Sequence, residues 1–404
     1  MKIQVLCPHF EPDSAPTGEF MSAIVNHLGE MGHELHVITA LPWYRDHAVE
    51  AGWEGRPIRV EERSWGRITR VHPFPTDKTN IGARAAAFAG FTAIGLGTAV
   101  VDRFDADIVF AMSPPLSLGV AGWVAAKRRR TPFVFNIQDV FPDVAIETGT
   151  ISNPRVISAA QRLEKFVYDH ADVVTVLSEE MQRNVDAKTT SATEIIPNFV
   201  DTDVFVPSEL ENDYRREYDL VGKRIVMYCG NVGFSQSIEL MADAARQMTD
   251  LDDVVFVVNG GGSAIGEVRA RAEGLDNFRI IPYQPVERVP EVLAAADLHV
   301  IPLRKGLAWS SVPSKLYKIL ACRRPVIASV DEGTEVGKVV VEAGAGRSVP
   351  PDTVEPFVEA LRELLGDPTL RTEMGDRGRE WVEQWVTPKR AAERYADLFE
   401  RLVS

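Results

Sequence analysis

The sequence predicts an α/β protein made of two doubly wound, parallel-sheet domains. Strand-like apolar segments alternate with helical periodicities almost from end to end, which is the pattern of a parallel sheet covered by crossover helices. These segments form two separate runs of six, which indicates two sheets. The chain of 404 residues, 45% hydrophobic and 25% charged, has the length of about two or three domains and the composition of a soluble globular protein.

The first run of strands lies before residue 200 and predicts an N-terminal domain. Its predicted strands are 3–7, 35–39, 108–111, 133–137, 173–177 and 194–196, with a predicted helix between most neighbours. Residues 85–101 form an uncharged run rich in Ala and Gly, at the short limit for a helix that crosses a bilayer. We therefore predict a helix there that does not span a membrane.

The second run predicts a C-terminal domain. Its predicted strands are 225–229, 254–259, 278–282, 298–302, 326–328 and 347–349. Between the two runs, residues 198–223 are polar, rich in turn-forming residues and without sustained apolar periodicity, as is typical of a linker. The domains are therefore predicted as 1–200 and 201–386.

The last segment, 387–404, is predicted as one helix, because its apolar residues recur at spacings of four, three and four. No predicted strand follows it, so the helix could pack on either domain. We predict that it returns to the N-terminal one.

Charge and cysteine content bear on the class of function. The chain has 44 Lys and Arg against 58 Asp and Glu, a net charge of −14 that argues against a dedicated nucleic-acid binder. Cys7, Cys229 and Cys322 are widely spaced without metal-site spacing, which suits a reducing cytoplasm and predicts no metal site. No small-residue cleavage site follows the apolar N-terminal stretch, so no signal peptide is predicted.

Two doubly wound domains predict a ligand cleft at the carboxyl ends of both sets of strands. The turn after predicted strand 225–229 contains Gly230 and Gly233, which would let backbone N–H groups approach a phosphate where the next helix begins. An ordinary strand-to-helix turn is an equal alternative for this pattern. It is not the GxGxxG fingerprint, which the turn after the first strand also lacks, so a nicotinamide-dependent oxidoreductase is disfavoured.

The segment PSKLYKIL (313–320) predicts a short helix, because Pro and Ser are typical of helix starts and its apolar residues form one stripe. Lys315 then lies in the first turn, where a cation opposes the helix dipole unless a bound anion compensates. Lys315 is therefore a candidate phosphate ligand, with Arg304 at the end of the preceding strand as a second cation. The alternative is a solvated lysine on a surface helix.

Polar residues also follow two strands of the N-terminal domain. Gln138 and Asp139 would protrude after strand 133–137, where the Asp139 carboxylate could bind sugar hydroxyls or accept a proton. With equal weight, Asp139 could cap the next helix. Gly18 and Glu19 form a similar polar loop after the first strand, although Glu19 could equally be a charge at a helix start.

A series of segments, taken together, resembles glycosyltransferase family 4, and in particular the bacterial enzymes that build colanic-acid, capsule and O-antigen type polysaccharides. In chain order these are TGEF (17–20), MSPPL (112–116), QDVFPD (138–143), IIPNFVD (195–201), YCGNVG (228–233), ADLHVIPL (296–303), VPSKLYKILACRRPVIA (312–328) and DEGTEV (331–336). The resemblance covers nearly the whole chain. It implies a GT-B fold of two Rossmann-like domains, a sugar-nucleotide donor in the C-terminal domain, retention at the anomeric carbon and no metal ion.

The resemblance also implies roles for residues. The glycine loop would underlie the donor diphosphate, Lys315 and Arg304 would supply charge, Tyr283 would lie near the nucleobase, and Asp331 to Glu335 would approach the donor sugar or ribose. The donor-binding set implied in this way is Gly230, Asn231, Gly233, Tyr283, Ser314, Lys318, Asp331 and Glu335. The catalytic set is Asp139, Lys315 and Arg304, with Gly18, Glu19 and Gln138 on the acceptor side.

The chain departs from the family pattern at several of these positions. Gln138 stands where many members carry His, which puts a His-dependent step in doubt. Ser310 and Lys318 stand where many members carry two glutamates, and Asn231 and Gln236 where some carry Arg and Lys. The donor contacts must then be rearranged, with more of the diphosphate left to Lys315 and Arg304.

The function implied is that of a hexosyltransferase that moves an N-acetylated or other hexose from a UDP-sugar to a lipid-linked or saccharide acceptor, with no further cofactor. We rank the departing phosphate oxygen above Asp139 as the acceptor of the proton. Two alternatives stay open: an enzyme like the GT-B UDP-N-acetylglucosamine 2-epimerases, and a non-catalytic subunit that binds a sugar nucleotide.

Contact with the cytoplasmic face of the membrane is a further expectation. The run 85–101 and the basic cluster KRRR (127–130) could give the N-terminal domain a surface that faces anionic lipid. The alternative, of equal weight, is a buried helix rich in Ala and Gly beside a solvated basic run.

Overall fold

The structure, a computed structural model, describes residues 1–45, 47–76, 81–147, 151–306 and 315–404. The chain forms two compact units, Met1–Asn198 with Pro388–Ser404, and Phe199–Thr387. The predicted domains, 1–200 with 387–404 and 201–386, have bounds within about two residues of these units. Each unit is an α/β structure around a largely parallel sheet.

The sheet of the N-terminal unit has eight strands within the described ranges, in the order β3-β4-β2-β1-β5-β6-β7-β8. The strands are β1 (Lys2–Leu6), β2 (Glu34–Ala40), β3 (Ile58–Arg63), β4 (Gly66–Val71), β5 (Ile108–Ser113), β6 (Phe133–Ile137), β7 (Val173–Val176) and β8 (Ala192–Ile195). The helices are α1 (Pro16–Glu30), α2 (Ile81–Val101), α3 (Ser117–Arg129), α4 (Asp143–Glu147), α5 (Pro154–Asp169) and α6 (Glu179–Asp186). Neighbouring strands are parallel except for β3 and β4.

The prediction of six strands for this sheet was wrong, because it missed the antiparallel hairpin of β3 and β4. The hairpin forms an edge of the sheet, and β3 carries charged residues that are partly or fully exposed. Buried Arg70 of β4 pairs with Glu61 of β3 through a 2.5 Å contact between Nε and Oε1. Charges of this kind protect an edge strand from further pairing, and they also hide its apolar pattern.

Helix α2 buries one face in the core of the N-terminal unit. Phe91 and Ala99 are buried, whereas Val101 is exposed. The basic cluster predicted at 127–130 binds the end of this helix, since Arg128 Nε donates to Val100 O and an Arg129 terminal nitrogen donates to Ala99 O. Among the described residues, no helix combines the length and the apolar character needed to cross a bilayer.

The sheet of the C-terminal unit is parallel throughout, in the order β11-β10-β9-β12-β13-β14. The strands are β9 (Arg224–Asn231), β10 (Val254–Gly261), β11 (Phe278–Ile281), β12 (Leu298–Pro302), β13 (Val326–Ser329) and β14 (Gly346–Val349), so the six predicted strands are confirmed. The helices are α7 (Asp213–Glu217), α8 (Glu239–Gln247), α9 (Ile265–Arg271), α10 (Val289–Ala294), α11 (Lys315–Ala321), α12 (Glu335–Glu342), α13 (Val354–Gly366) and α14 (Pro368–Trp385). The strand order reverses direction between β9 and β12, which makes their carboxyl ends the place where such sheets bind ligands.

The last helix, α15 (Pro388–Val403), belongs to the N-terminal unit. Its Tyr395 and Phe399 are buried against Phe110 of β5, with ring centroids 4.8 and 5.4 Å from that ring. The Tyr395 hydroxyl accepts a 2.9 Å hydrogen bond from Asn136 Nδ2 of β6. The helix therefore completes the core of this unit.

His299 on β12 makes the C-terminal unit sensitive to acid. The side chain is buried, its Nε2 donates to Leu293 O at 2.8 Å, and burial lowers its pKa to about 4. The neutral form is thus favoured in the folded state, and the stabilisation is complete above the unfolded pKa of about 6.5. It declines as the pH falls towards 4, by up to about 3 kcal/mol. When the pH is lowered from 7 to 5, we expect the free energy of unfolding in urea to fall by about 2 kcal/mol more in the wild type than in His299→Gln.

Equal losses for the wild type and His299→Gln would contradict the prediction.

Candidate functional site

The loop after β9 lies at the point where the strand order of the C-terminal sheet reverses. Gly230 and Gly260 are register partners at the ends of β9 and β10, with φ of +136° and +156°. A Cβ built on Gly260 would lie 2.0 Å from Gly230 O. The two glycines therefore allow a close approach of the strand ends that side chains would prevent.

Some backbone N–H groups of this loop are hydrogen-bonded within the protein, and others are not. The Gly233 N–H donates to Gln236 Oε1 at 2.8 Å, so Gly233 shapes the turn and does not offer its N–H to a phosphate as the sequence suggested. In the described part of the chain, the N–H groups of Phe234 and Ser235 have no acceptor. These two groups are available to an anion.

Lys315, the first described residue of α11, reaches this loop from the neighbouring strand connection. Its Nζ donates a 2.8 Å hydrogen bond to the Tyr228 hydroxyl and lies 4.2 Å from the centroid of the Tyr228 ring. A Cβ built on Gly230 would be 3.3 Å from the same Nζ. The alternative of a solvated lysine on a surface helix is therefore wrong.

The Lys315 ammonium has no anionic partner in the described chain. Burial lowers its pKa to about 8. The adjacent Cys229 is neutral near pH 8, because burial raises its pKa to about 11. Burial also raises the pKa of Tyr228, so the phenol is neutral as well. A partly buried ammonium without a carboxylate is costly unless a ligand supplies the negative charge.

Arg304 follows β12, but its charge is already paired. Its guanidinium contacts Glu239 Oε1 at 2.6 Å and donates to Phe234 O at 2.9 Å, and its N–H donates to Ser235 O. Arg304 was predicted as a second cation for the phosphate, but in the structure its guanidinium is engaged by Glu239 and Phe234. Arg304 instead holds the glycine loop against the first turn of α8.

Tyr283 and Asn231 meet at the glycine loop. The Tyr283 hydroxyl donates to Gly261 O at 2.7 Å and lies 3.3 Å from Asn231 Oδ1. Tyr283 as a whole is 56% exposed. It offers a flat apolar face at the carboxyl end of the sheet.

The remaining predicted donor residues are placed less closely together. Asp331 Oδ2 accepts from the Gly306 N–H at 2.7 Å, which joins the loops after β12 and β13, and Glu335 is the first residue of α12. The Lys318 Nζ lies 5.2 Å from the centroid of the Phe205 ring. Ser314 and Ser310 lie outside the described residues.

The N-terminal unit contains a cavity of about 390 Å³ that brings together residues from several loops. Its lining includes His9, Thr17, Trp43, Tyr44, Phe88 and Asp139. Asp139 lies four residues before α4 and so does not cap that helix, contrary to the alternative left open by the sequence. Loss of hydration among its neighbours raises the pKa of Asp139.

The other predicted acceptor residues have structural contacts. The Gln138 amide donates to Asn136 Oδ1 at 2.7 Å and accepts from Asn198 Nδ2 at 2.9 Å, so the prediction of a free, protruding side chain is corrected. Gly18 is buried, and a Cβ built on it would lie 2.9 Å from His9 Cβ, so it allows α1 to pack closely. Glu19 is exposed in the first turn of α1, which agrees with a charge at a helix start.

The sequence analysis missed a buried His–Asp pair in this cavity wall. His9 Nδ1 lies 2.7 Å from Asp13 Oδ2, and Asp13 Oδ1 accepts from the Tyr44 N–H at 3.1 Å. The His9 ring stacks on Trp43 with centroids 5.7 Å apart. Because an ionised carboxylate only accepts hydrogen bonds, the pair places a proton on Nδ1 and leaves Nε2 outside this contact. The available signal was the position of both residues in the loop after β1.

The two units thus offer different chemistry. The loops of the C-terminal unit present a cation and free N–H groups, which suit a phosphate. The cavity of the N-terminal unit combines aromatic walls with hydrogen-bond acceptors, which suits a polar ligand with apolar faces. Within the described residues, no cluster of three or more His, Cys, Asp or Glu side chains is placed to hold a metal ion.

Comparison with protein families finds one match in each unit. A model described as a glycosyl transferase 4-like domain matches residues 17–198, and a model described as glycosyl transferases group 1 matches residues 223–367. Together the two matches cover most of the chain.

Several relatives carry the names of glycosyltransferases. The chain is 26% identical over 377 residues to the colanic acid biosynthesis glycosyl transferase WcaI of Escherichia coli K12, whose name marks this function as provisional. The alignment covers 90% of this chain and 92% of that protein. It is also 26% identical over 257 residues to the GDP-mannose-dependent alpha-(1-6)-phosphatidylinositol monomannoside mannosyltransferase of Mycolicibacterium smegmatis, covering 60% and 66% of the two chains.

Solved structures show the same fold. The sucrose-phosphate synthase of Thermosynechococcus elongatus superposes with a TM-score of 0.74 at 17% identity, covering 100% of this chain and 99% of that one. The Anabaena protein HepE, in complex with UDP-glucose, superposes with a TM-score of 0.67 at 14% identity over 100% of both chains.

Proposed function

Since this chain belongs to glycosyltransferase family 4 and has the GT-B fold, we propose that it transfers a hexose from a UDP-sugar with retention at the anomeric carbon. The proposed sugar is an N-acetylated or other hexose, and the proposed acceptor is a lipid-linked or free saccharide in cell-surface polysaccharide biosynthesis. The observation that carries the proposal is the Lys315 ammonium, which lies at the glycine loop without a carboxylate partner in the described chain.

In the proposed donor complex, the diphosphate occupies the space beside Gly230. Lys315 Nζ supplies the positive charge, and the N–H groups of Phe234 and Ser235 supply hydrogen bonds. The exposed ring of Tyr283 offers a face on which a nucleobase can stack. Arg304 contributes indirectly, because it holds the backbone of the loop in place.

The reaction that we propose exchanges one bond of the anomeric carbon for another. The acceptor oxygen bonds to that carbon as the bond to the diphosphate oxygen breaks, and the electron pair leaves with the nucleoside diphosphate. Lys315 stabilises the charge that develops on the leaving group, an effect worth about 10²–10³ in rate for a well-placed donor. The proton of the acceptor hydroxyl passes to the departing phosphate oxygen. We rank Asp139 second as the group that takes this proton.

We assign the acceptor to the cavity of the N-terminal unit. Trp43 and Phe88 offer apolar surface to a sugar ring or a lipid, the Asp139 carboxylate can accept hydrogen bonds from hydroxyl groups, and His9 Nε2 can form a further hydrogen bond with a hydroxyl. For a lipid-linked acceptor, we propose peripheral contact with the cytoplasmic face of the membrane. The exposed Lys127 beside α2 supports such contact by its attraction to anionic lipid.

The first experiment is a thermal unfolding series with UDP, GDP, ADP and CMP. GDP is included because a relative is named for its dependence on GDP-mannose. A ligand at about 100 times its dissociation constant stabilises the folded state by about 2.7 kcal/mol, so we expect UDP to raise the Tm by several degrees and CMP to have little effect. Absence of any shift at millimolar concentrations would contradict the donor assignment.

A second assay separates transfer from the two alternatives that the sequence left open. When the protein is incubated with a UDP-sugar and no acceptor, we expect no epimer of the sugar nucleotide to form. A new epimer formed without acceptor would favour the epimerase, and UDP binding without turnover on any lipid-linked or saccharide acceptor would favour the binding subunit.

A further inference from the structure

We propose that Tyr228 is a positioning residue of the donor site, because its phenol holds the Lys315 ammonium at the glycine loop and so sets the affinity for the donor diphosphate. The inference rests on the proposed function, which assigns the diphosphate to Lys315. Tyr228 lies in β9, and neither the residue pattern nor the family resemblance gave its side chain a role.

The Tyr228 hydroxyl is fixed by two hydrogen bonds. It donates its single proton to the carbonyl oxygen of Asn231, in the glycine loop, and it accepts from Lys315 Nζ at 2.8 Å. The Tyr228 side chain is otherwise buried in the core of the C-terminal unit. A phenol with its donor and an acceptor position both in use cannot rotate without loss of one bond, so it is a rigid support.

Tyr228 contacts Lys315 through its ring as well as its hydroxyl. The Nζ lies 4.2 Å from the ring centroid, within the range of a cation–π contact. A lysine side chain is flexible and loses considerable rotamer freedom when it binds a ligand. Because Tyr228 restrains Lys315 beforehand, less of this freedom remains to be lost when the diphosphate binds.

Within the described residues, Tyr228 contacts the Lys315 ammonium with both a hydrogen bond and its ring, and both contacts favour the charged form. From β9, the titratable groups that face Lys315 are Tyr228 and Cys229, both neutral near pH 8 because burial raises their pKa. Lys318 lies one turn along on α11. The adjoining helix α14 directs Arg379 to the Ala321 carbonyl, at the opposite end of α11. Loss of the Tyr228 hydroxyl should therefore lower the Lys315 pKa from its value of about 8.

The test compares Tyr228→Phe with Tyr317→Phe. Tyr317 is a buried tyrosine on α11 whose hydroxyl makes no hydrogen bond within the described chain, so it is a matched control for loss of a phenol. Lysine labelled with ¹³C at Cε reports the Lys315 pKa in the free protein, and the Lys315→Arg spectrum identifies its signal. Calorimetry with UDP between about pH 7 and 10 reports affinity.

In the wild type, affinity for UDP should fall as the pH rises through about 8, because Lys315 loses its proton. In Tyr228→Phe we expect the Lys315 pKa to fall by about one unit and UDP affinity at pH 7 to weaken about tenfold. The pH at which UDP affinity declines should fall together with the Lys315 pKa. Tyr317→Phe should behave as the wild type. In Lys315→Arg this decline should disappear, because arginine does not titrate in this range.

The outcomes separate the two proposals. An unchanged Lys315 pKa in Tyr228→Phe would overturn the positioning role, as would weaker UDP binding at every pH with no shift of the decline. If the wild type does not bind UDP at all, the proposed donor fails, and the NMR titration still decides whether Tyr228 controls the Lys315 ammonium.

Discussion

Replacement of Lys315 by alanine is expected to lower kcat/KM for sugar transfer by about 10²–10³ and to remove the thermal stabilisation by UDP. The reason is that Lys315 is the cation that the described structure places at Gly230 without a carboxylate partner. Its loss leaves the diphosphate with hydrogen bonds from neutral N–H groups alone. Because the charge on the leaving group grows as its bond breaks, kcat should fall more than the affinity for the donor.

The matched control for this variant is Lys223→Ala. Lys223 also lies in the C-terminal unit, but its Nζ donates to Asp252 O near the amino-terminal end of β9, opposite the glycine loop. We expect this variant to retain activity and the UDP-induced shift in Tm. A Lys315→Ala protein that UDP stabilises as strongly as it does the wild type would refute the assignment of the diphosphate.

Replacement of Phe399 by alanine is expected to destabilise the N-terminal unit by about 3–5 kcal/mol. Phe399 has no solvent-exposed surface, and it packs on Phe110 and on Tyr395, with ring centroids 5.4 and 5.8 Å apart. Removal of its ring leaves a cavity between α15 and the sheet that the surrounding backbone cannot fill. Urea unfolding followed by circular dichroism should show a correspondingly lower midpoint.

Val403→Ala tests whether the loss comes from the core contact and not from any change in α15. Val403 lies near the end of the same helix and is 41% exposed, so its replacement should change the unfolding free energy by no more than about 0.5 kcal/mol. Equal unfolding midpoints for the two variants would show that α15 does not stabilise this unit.

The sequence predicted the fold best where the apolar pattern is local and continuous. All six strands of the C-terminal sheet were predicted, because most of them are short, buried, apolar runs between helical segments. Strand β3 was missed because a charged, exposed edge strand lacks such a run, and β4 because Arg67 and Arg70 interrupt its apolar residues. The pairing of Arg70 with Glu61 depends on a register that the sequence does not state directly.

The candidate site was predicted in part. Gly230 and Lys315 were recognisable from their local setting, since Gly230 lies at the end of a strand and Lys315 in the first turn of a helix. Tyr228 and Lys315 are 87 positions apart in the chain, so their contact follows only from the order of strands in the sheet. Arg304 was misjudged for the same reason, since its partner Glu239 is 65 positions away. Side-chain partners of this kind require the tertiary structure.

The return of α15 to the N-terminal unit makes the C-terminal unit a continuous insertion within the N-terminal one. During synthesis on the ribosome, residues 199–387 emerge as a complete unit while the first unit still lacks its final helix. Until then, the surface of Phe110 that α15 covers stays exposed to solvent and chaperones. A gene fragment that stops at residue 198 should therefore encode an aggregation-prone product, whereas one encoding residues 199–387 has a contiguous reading frame for a whole unit.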